Sequence, residues 1–260
     1  MGIEGLDRDT AEFGRRDRAR PQRAFRQEFL LLTAAAAIYF GVREAVEGST
    51  MAATHNAERL RRFESRLGLD IEDRAQELVV AHGPLRTLGN FSYVWLHWPL
   101  IVALLGALFV YDRQRYLQLR RAMFVSGVIG LVVFALFPVS PPRFLADYIG
   151  TVSDSERRHY LPFPIEWANR YAAFPSFHVG WTLIACIAVK ERLPLRWLRA
   201  LVMLPAVLVA AAVITTGNHY VADAVVGATI ALLAYAVVSS GPDAPLDYGA
   251  TSAPTTSATR

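Results

Sequence analysis

Six stretches dominated by apolar side chains recur along the chain, each close to twenty residues long and each bounded by polar or charged residues. They run at about Phe29–Val46, Leu88–Tyr111, Ala122–Val139, Ser176–Leu193, Trp197–Thr215 and Tyr220–Ser239. Roughly 20 helical residues cross the ~30 Å hydrocarbon layer of a bilayer. A backbone in lipid must satisfy its own hydrogen bonds, which favours helices. The pattern predicts an all-α, polytopic membrane protein, a six-transmembrane-helix bundle occupying residues 28–240. The first and fourth stretches are the shortest or carry charge near their ends. Residues 1–27 are basic and polar, and residues 241–260 are rich in Pro, Ser, Thr and Ala; both are expected to be disordered.

The polar segments carry a second pattern. Leu60, Phe63 and Leu67 recur at helical spacing among charged residues, and Gly68 interrupts them. Asp70 is placed to cap a following helix with Ile71, Ala75, Leu78 and Val79 on its apolar face. Residues 52–82 are therefore expected to form amphipathic helices on the outer membrane face. They pack against the bundle or gate a lipid substrate.

Charge then fixes an orientation. Arginines crowd before the first span (Arg8 to Arg26), between the second and third (Arg113, Arg115, Arg120, Arg121) and, with Lys190, between the fourth and fifth (Arg192, Arg196, Arg199). With six spans these segments share one side, which the positive-inside rule makes cytoplasmic. Both termini are then cytoplasmic, and the 140–175 loop lies outside an expected plasma membrane. The net charge of +4 comes from these flanks, so nucleic acid is not an expected partner. Cys186 is the one cysteine, which rules out an intrachain disulfide and a cysteine metal cluster.

Three polar clusters interrupt the apolar pattern at predicted span ends: FPVSPPRF at 137–144, FPSFHVG at 174–180 and TTGNHYVADAVVG at 215–227. His178 and His219 are 41 residues apart, which is two crossings, so they return to one depth. His219 and Asp223, four apart, share a helix face. Asp223 accepting the imidazole Nδ1–H would leave Nε2 as a nucleophile. The expected catalytic residues are His178, His219 and Asp223. Arg143, Ser176, Phe177 and Asn218 are expected to bind phosphate through a guanidinium, a hydroxyl and amides at two helix N-termini. His178 would protonate the leaving oxygen. This reading calls for no metal and no cofactor. His97, in YVWLHWPLIV, either lines the cavity or belongs to an aromatic interfacial segment.

These clusters resemble the motifs of the type-2 phosphatidic acid phosphatase superfamily, over about residues 88–240. That family has a six-helix membrane core and motifs around Arg-Pro, Pro-Ser-Gly-His and Ser-Arg-x5-His-x3-Asp. By resemblance Arg143 matches the first, Ser176 and His178 the second, and His219 and Asp223 the third. Three positions depart. Leu136 stands where the family often has Lys, Phe177 where it has Gly, and Val213 where it has Arg. Arg157, Arg158, His159 and Arg170 are the outer-loop candidates to replace the missing cations. The forms SPPR, PSFH and GNHYVAD are similar to the branch of inositol phosphorylceramide synthases, which implies phosphotransfer from a lipid headgroup to a polyol or lipid acceptor. Three alternatives stay open. One is a lipid phosphate phosphatase acting on polyprenyl or diacylglycerol phosphates. Another is a membrane protein holding a metal through His178, His219 and Asp223. The third is a catalytically inactive scaffold.

Overall fold

A computed structural model describes residues 4–145 and 170–241, with side chains from Ala24 onward. Ten α-helices and one short 3₁₀ turn make up the regular structure of the described residues. They are α1 (Glu4–Ala45), α2 (Thr50–Leu67), α3 (Glu72–Ala81), α4 (Gly83–Trp95), α5 (Trp98–Tyr111), α6 (Arg113–Leu136), α7 (Phe177–Lys190), α8 (Arg196–Leu201), α9 (Leu204–Thr215) and α10 (Val221–Ser240). The all-α membrane fold follows the apolar periodicity. The span count differs in detail. Among the described residues, four helical segments are long and apolar enough to cross a bilayer: Ala24–Ala45, Arg113–Leu136, Arg196–Thr215 and Val221–Ser240. The pair α4 and α5 makes a fifth if taken together. The central α7, at 14 residues, is shorter than a full crossing.

Three local differences have physical causes. The expected disordered N-terminus is helical from Glu4 and continues without interruption into the first span. The expected span Leu88–Tyr111 breaks at Leu96 and His97 with a 47° bend. Pro99 in the first turn of α5 lacks an N–H and fits a helix start, not an interior. In the outer segment α2 and α3 do form, but only part of each expected apolar face is buried, and acidic residues share the buried side. α2 buries Ala53, Ala57, Leu60 and Glu64, while Phe63 and Leu67 are exposed. α3 buries Glu72, Gln76 and Val79, while Leu78 is exposed. Ile71, not Asp70, occupies its N-cap position.

The bundle is organised around α7 and α10. Their axes approach so closely at Gly180 and Gly227 that a Cβ on either would overlap neighbouring backbone, that of Gly227 or of Ser176. Small residues allow such contact between apolar helices, where van der Waals packing replaces the hydrophobic effect. α6 packs on the other side through Gly130, against which the Phe177 ring lies. That ring fills the space that Gly130 leaves, stacking on Trp181 at 4.9 Å and meeting Phe134 edge-on at 6.3 Å. α1 leans on this core through Tyr39 against Trp181 (5.3 Å) and Phe40 against Trp98 (5.8 Å).

The two ends of the bundle differ. At one end, Glu28 of α1 binds Arg113 and Arg120 and accepts a hydrogen bond from the Tyr116 hydroxyl at 2.9 Å. Asp112 pairs with Arg192, and Arg115 with Glu191. The three basic segments therefore converge there. The other end gathers the segments 137–144, 171–178 and 216–220. The Val139 N–H donates to the Tyr171 carbonyl at 2.8 Å, and the Arg143 N–H to the Gly217 carbonyl at 2.9 Å.

Glycine removal tests the crossing. Gly227→Ala is expected to destabilise the protein by about 1–3 kcal/mol or to prevent folding, because backbone cannot move aside. Gly41→Ala, whose Cβ meets nothing within 4 Å, should be neutral or stabilising by up to ~1 kcal/mol. Thermal unfolding in one detergent compares the two.

Candidate active site

The turn between α9 and α10 is the geometric centre of the site. It leaves α9 through Thr216 and Gly217, the latter with φ of +67°, a conformation that glycine adopts without steric cost. The N–H groups of Asn218 and His219 both donate to the Val213 carbonyl, at 3.2 and 3.0 Å. Asn218 is fixed further by its side-chain N–H bond to the Thr216 hydroxyl, 2.6 Å. Its side-chain oxygen receives the Arg143 guanidinium. Asn218 is thus a holder of Arg143.

His219 is buried, and its Nδ1 faces two acceptors: the Ala173 carbonyl at 2.8 Å and Asp223 Oδ2 at 3.2 Å. A proton on Nδ1 satisfies both, which leaves Nε2 as the lone-pair nitrogen. Burial holds the imidazole down to about 3; the Ala173 carbonyl opposes this, and the charges of Arg143 and Arg43 add to it. His219 is therefore neutral across the physiological range. Asp223 Oδ2 also accepts the Tyr220 N–H at 2.9 Å, closing the N-terminus of α10.

His178 sits one residue inside α7 with its ring centroid 5.6 Å from that of His219. It stacks on Tyr93 at 4.6 Å and lies 4.2 Å from His97. The α4–α5 break delivers His97 to this place, where its Nδ1 lies 3.2 Å from the Thr182 hydroxyl. His97 is thus a cavity residue, the first of the two readings its sequence left open. A half-open cavity of about 90 Å³ is lined by His97, His178, His219, Arg43, Arg143 and Arg170 together with aromatic side chains. Phe177 and Asn218 also line it.

Two expectations about helix ends are corrected. Ser176 is fully buried, makes no side-chain cap and does not line the cavity; its hydroxyl has no partner among the described residues. Its backbone is what matters: the N–H donates to the Asp223 carbonyl at 2.9 Å. The amides opening α10 do not face the cavity either. The Val221 N–H donates to Glu72 Oε1 (2.9 Å) and the Ala222 N–H to Glu64 Oε1 (2.6 Å). Two carboxyl groups from the outer helices thus accept the first amides of α10, which have no partner within the helix. The sequence reading missed Glu64 and Glu72. Each lies on the buried face of its helix, Glu64 with Leu60 and Glu72 with Val79, but a carboxylate there reads from sequence as a solvated charge.

Of the loop cations proposed as replacements, Arg157, Arg158 and His159 lie outside the described residues, and Arg170 lines the cavity. Leu136 is 78% exposed on the outside of the bundle, and Val213 is buried. Among the described residues, no group of three or more His, Cys, Asp or Glu side chains is arranged to hold a metal ion.

The model of the PAP2 superfamily matches residues 58–237. The chain belongs to the PAP2 superfamily. Membership makes it a membrane protein of the lipid phosphatase and phosphotransferase class. The fold is similar to the crystal structure of Aquifex aeolicus LpxE, with a TM-score of 0.52 at 18% identity. That match covers 65% of this chain and 93% of LpxE. No curated protein matches the sequence. The family match begins inside α2 and so includes Glu64 and Glu72, but not α1.

The capping carboxylates generate a pH prediction. Burial raises the Glu64 carboxyl from about 4.5 to about 8; the Ala222 N–H opposes the rise, and the Glu72 and Asp223 carboxylates add to it. The folded state thus holds a proton that the unfolded chain releases near pH 4.5. Its contribution to stability is complete below that pH and is lost as pH rises to about 8. Glu64→Gln keeps the acceptor and removes the charge. Its melting temperature should vary less than wild type between pH 5 and 8 and exceed it at pH 8. A curve parallel to wild type would show that Glu64 does not titrate there.

Proposed function

We propose that this PAP2 protein hydrolyses lipid phosphate monoesters at its His178–His219 site, through a phosphohistidine on His219. The observation that carries the reading is the engagement of His219 Nδ1 by Ala173 and Asp223, with the ring of His178 5.6 Å away in the same cavity. His219 Nε2 attacks phosphorus, and the bond from phosphorus to the lipid oxygen breaks. The proton on His178 goes to that oxygen, which leaves as the lipid alcohol. Water then gives a proton to His178 and attacks phosphorus, releasing phosphate and restoring neutral His219. Arg143, held by Asn218, takes the phosphoryl oxygens as negative charge gathers on them. Asp223 fixes the tautomer and supports the positive charge that the ring acquires.

His178, His219, Asp223 and Arg143 supply the proton transfer, the nucleophile, its orientation and the charge stabilisation. The substrate enters with its chain in the bilayer and its headgroup in the cavity. The basic segments at the opposite end favour a cytoplasmic placement of both termini and an outward-facing site in the plasma membrane. A second reading has its own support: SPPR, PSFH and GNHYVAD favour transfer to a polyol or lipid hydroxyl. The chemistry is the same with that hydroxyl in place of water.

The test is incubation of the purified protein with labelled phosphatidic acid or polyprenyl phosphate, with and without inositol or glycerol. Free phosphate supports hydrolysis, and a new phosphodiester supports transfer. His219→Ala should lose turnover and any acid-labile phosphoenzyme. Normal turnover by that variant would sink the mechanism. Asp223→Asn should fold and retain phosphate binding, with kcat reduced by roughly 10²–10⁴, by analogy with loss of an orienting carboxylate in other His-dependent enzymes.

A further inference from the structure

The superfamily's usual phosphate-binding lysine and second arginine are absent, at Leu136 and Val213, and neither position can deliver a cation here. We propose that Arg43 of α1 supplies the missing charge and binds the phosphoryl group beside Arg143. The inference rests on the reading of this cavity as the phosphoryl-transfer site.

Four observations converge on Arg43. It lines the same cavity as His178, His219 and Arg143. Its guanidinium carbon lies 5.8 Å above the Phe134 ring, itself part of the cavity wall. Its charge reaches His219, where it opposes protonation of the imidazole. Its backbone is held in place by Tyr39 and Phe40 one turn earlier, packed on Trp181 and Trp98. Arg43 occupies the last turn of α1, where the carbonyl end of the helix dipole favours a cation.

The charge count of the cavity gives the ligand class. Among the described residues, Arg43, Arg143 and Arg170 line it, and no Asp or Glu does. Three guanidinium groups beside the neutral His219 suit a phosphate that carries two negative charges, either a monoester dianion or the terminal group of a diphosphate. A phosphodiester, with one charge, uses such a cavity less fully. Arg43 therefore favours the removal of a terminal phosphate over cleavage of a diester headgroup.

The experiment uses the full chain in detergent with two readouts. One is the rise in melting temperature produced by inorganic phosphate, which measures binding without turnover. The other is kcat and KM for phosphatidic acid. Arg43→Ala should weaken phosphate binding about tenfold or more and lower kcat/KM roughly 10- to 100-fold, the range expected for a hydrogen bond to a charged group. Arg43→Lys should recover part of both, and Arg43→Gln should not. If Arg43→Ala does not fold, the comparison of Lys with Gln decides. Unchanged phosphate affinity and turnover in Arg43→Ala, or equal behaviour of Lys and Gln, would overturn the inference and identify Arg43 as an interfacial anchor. Turnover surviving in His219→Ala would instead overturn the site's mechanism, leaving the phosphate-binding result to be judged alone.

Discussion

The backbone contact between α7 and α10 is the constraint from which the site follows. Ser176 N–H meets the Asp223 carbonyl at 2.9 Å, and the glycines at 180 and 227 remove the side chains that would hold the two helices apart. His178 is two residues from Ser176, and His219 is one turn from Asp223. Locking these backbones together therefore sets the separation of the two imidazoles. At the start of α7 the Ser176 main-chain N–H is satisfied across the crossing, and the His178 ring lies in the cavity. Phe177 belongs to the same arrangement. Its bulk fits only because Gly130 of α6 gives way, so the departure from the family's glycine is balanced by a glycine elsewhere.

The outer helices earn their place at the N-terminus of α10. A helix start leaves its first amides without partners, and inside a bundle those amides need acceptors. Here Asp223, Glu72 and Glu64 supply them in sequence order at Tyr220, Val221 and Ala222. The segment 52–82 is thus wired to the residues two and three positions beyond the candidate nucleophile. Any displacement of α2 or α3 would uncover amides one and two positions beyond Tyr220. This couples the outer surface to His219 without requiring either helix to touch substrate.

Much of this was legible in the chain. Apolar stretches gave the membrane class, and the four-residue spacing of His219 and Asp223 gave their contact. The interval of two crossings brought His178 to the same end. What stayed hidden has a common physical origin. Apolar periodicity identifies lipid-facing and core-facing surfaces alike, so Phe63, Leu67 and Leu78 drew attention away from Glu64 and Glu72. Buried carboxylates that cap another element leave no local pattern. The break at His97 was readable from Pro99, but an uninterrupted run of apolar residues masked it. Arg43 lies about a hundred residues before Arg143, in a span whose composition suggests only an anchor.

Charge is sorted across His219. The ring's Nδ1 meets acceptors, the Ala173 carbonyl and Asp223, and Glu64 and Glu72 cap the helix that carries Asp223. Arg43, Arg143 and Arg170 line the cavity that His219 also lines. The proposed reaction moves charge along this same axis. As Nε2 bonds to phosphorus the ring becomes cationic and turns that charge toward Asp223, while the phosphoryl oxygens present theirs to the arginines. Both ends of the new dipole therefore meet groups already in position, with little reorganisation during the step. Glu64, whose carboxyl burial raises to about 8, adds no full negative charge beside Asp223 near neutral pH. Without that sorting, a neutral histidine beside several arginines would resist becoming positive. With it, the arginines that depress His219 in the resting protein become its partners once phosphate lies between them.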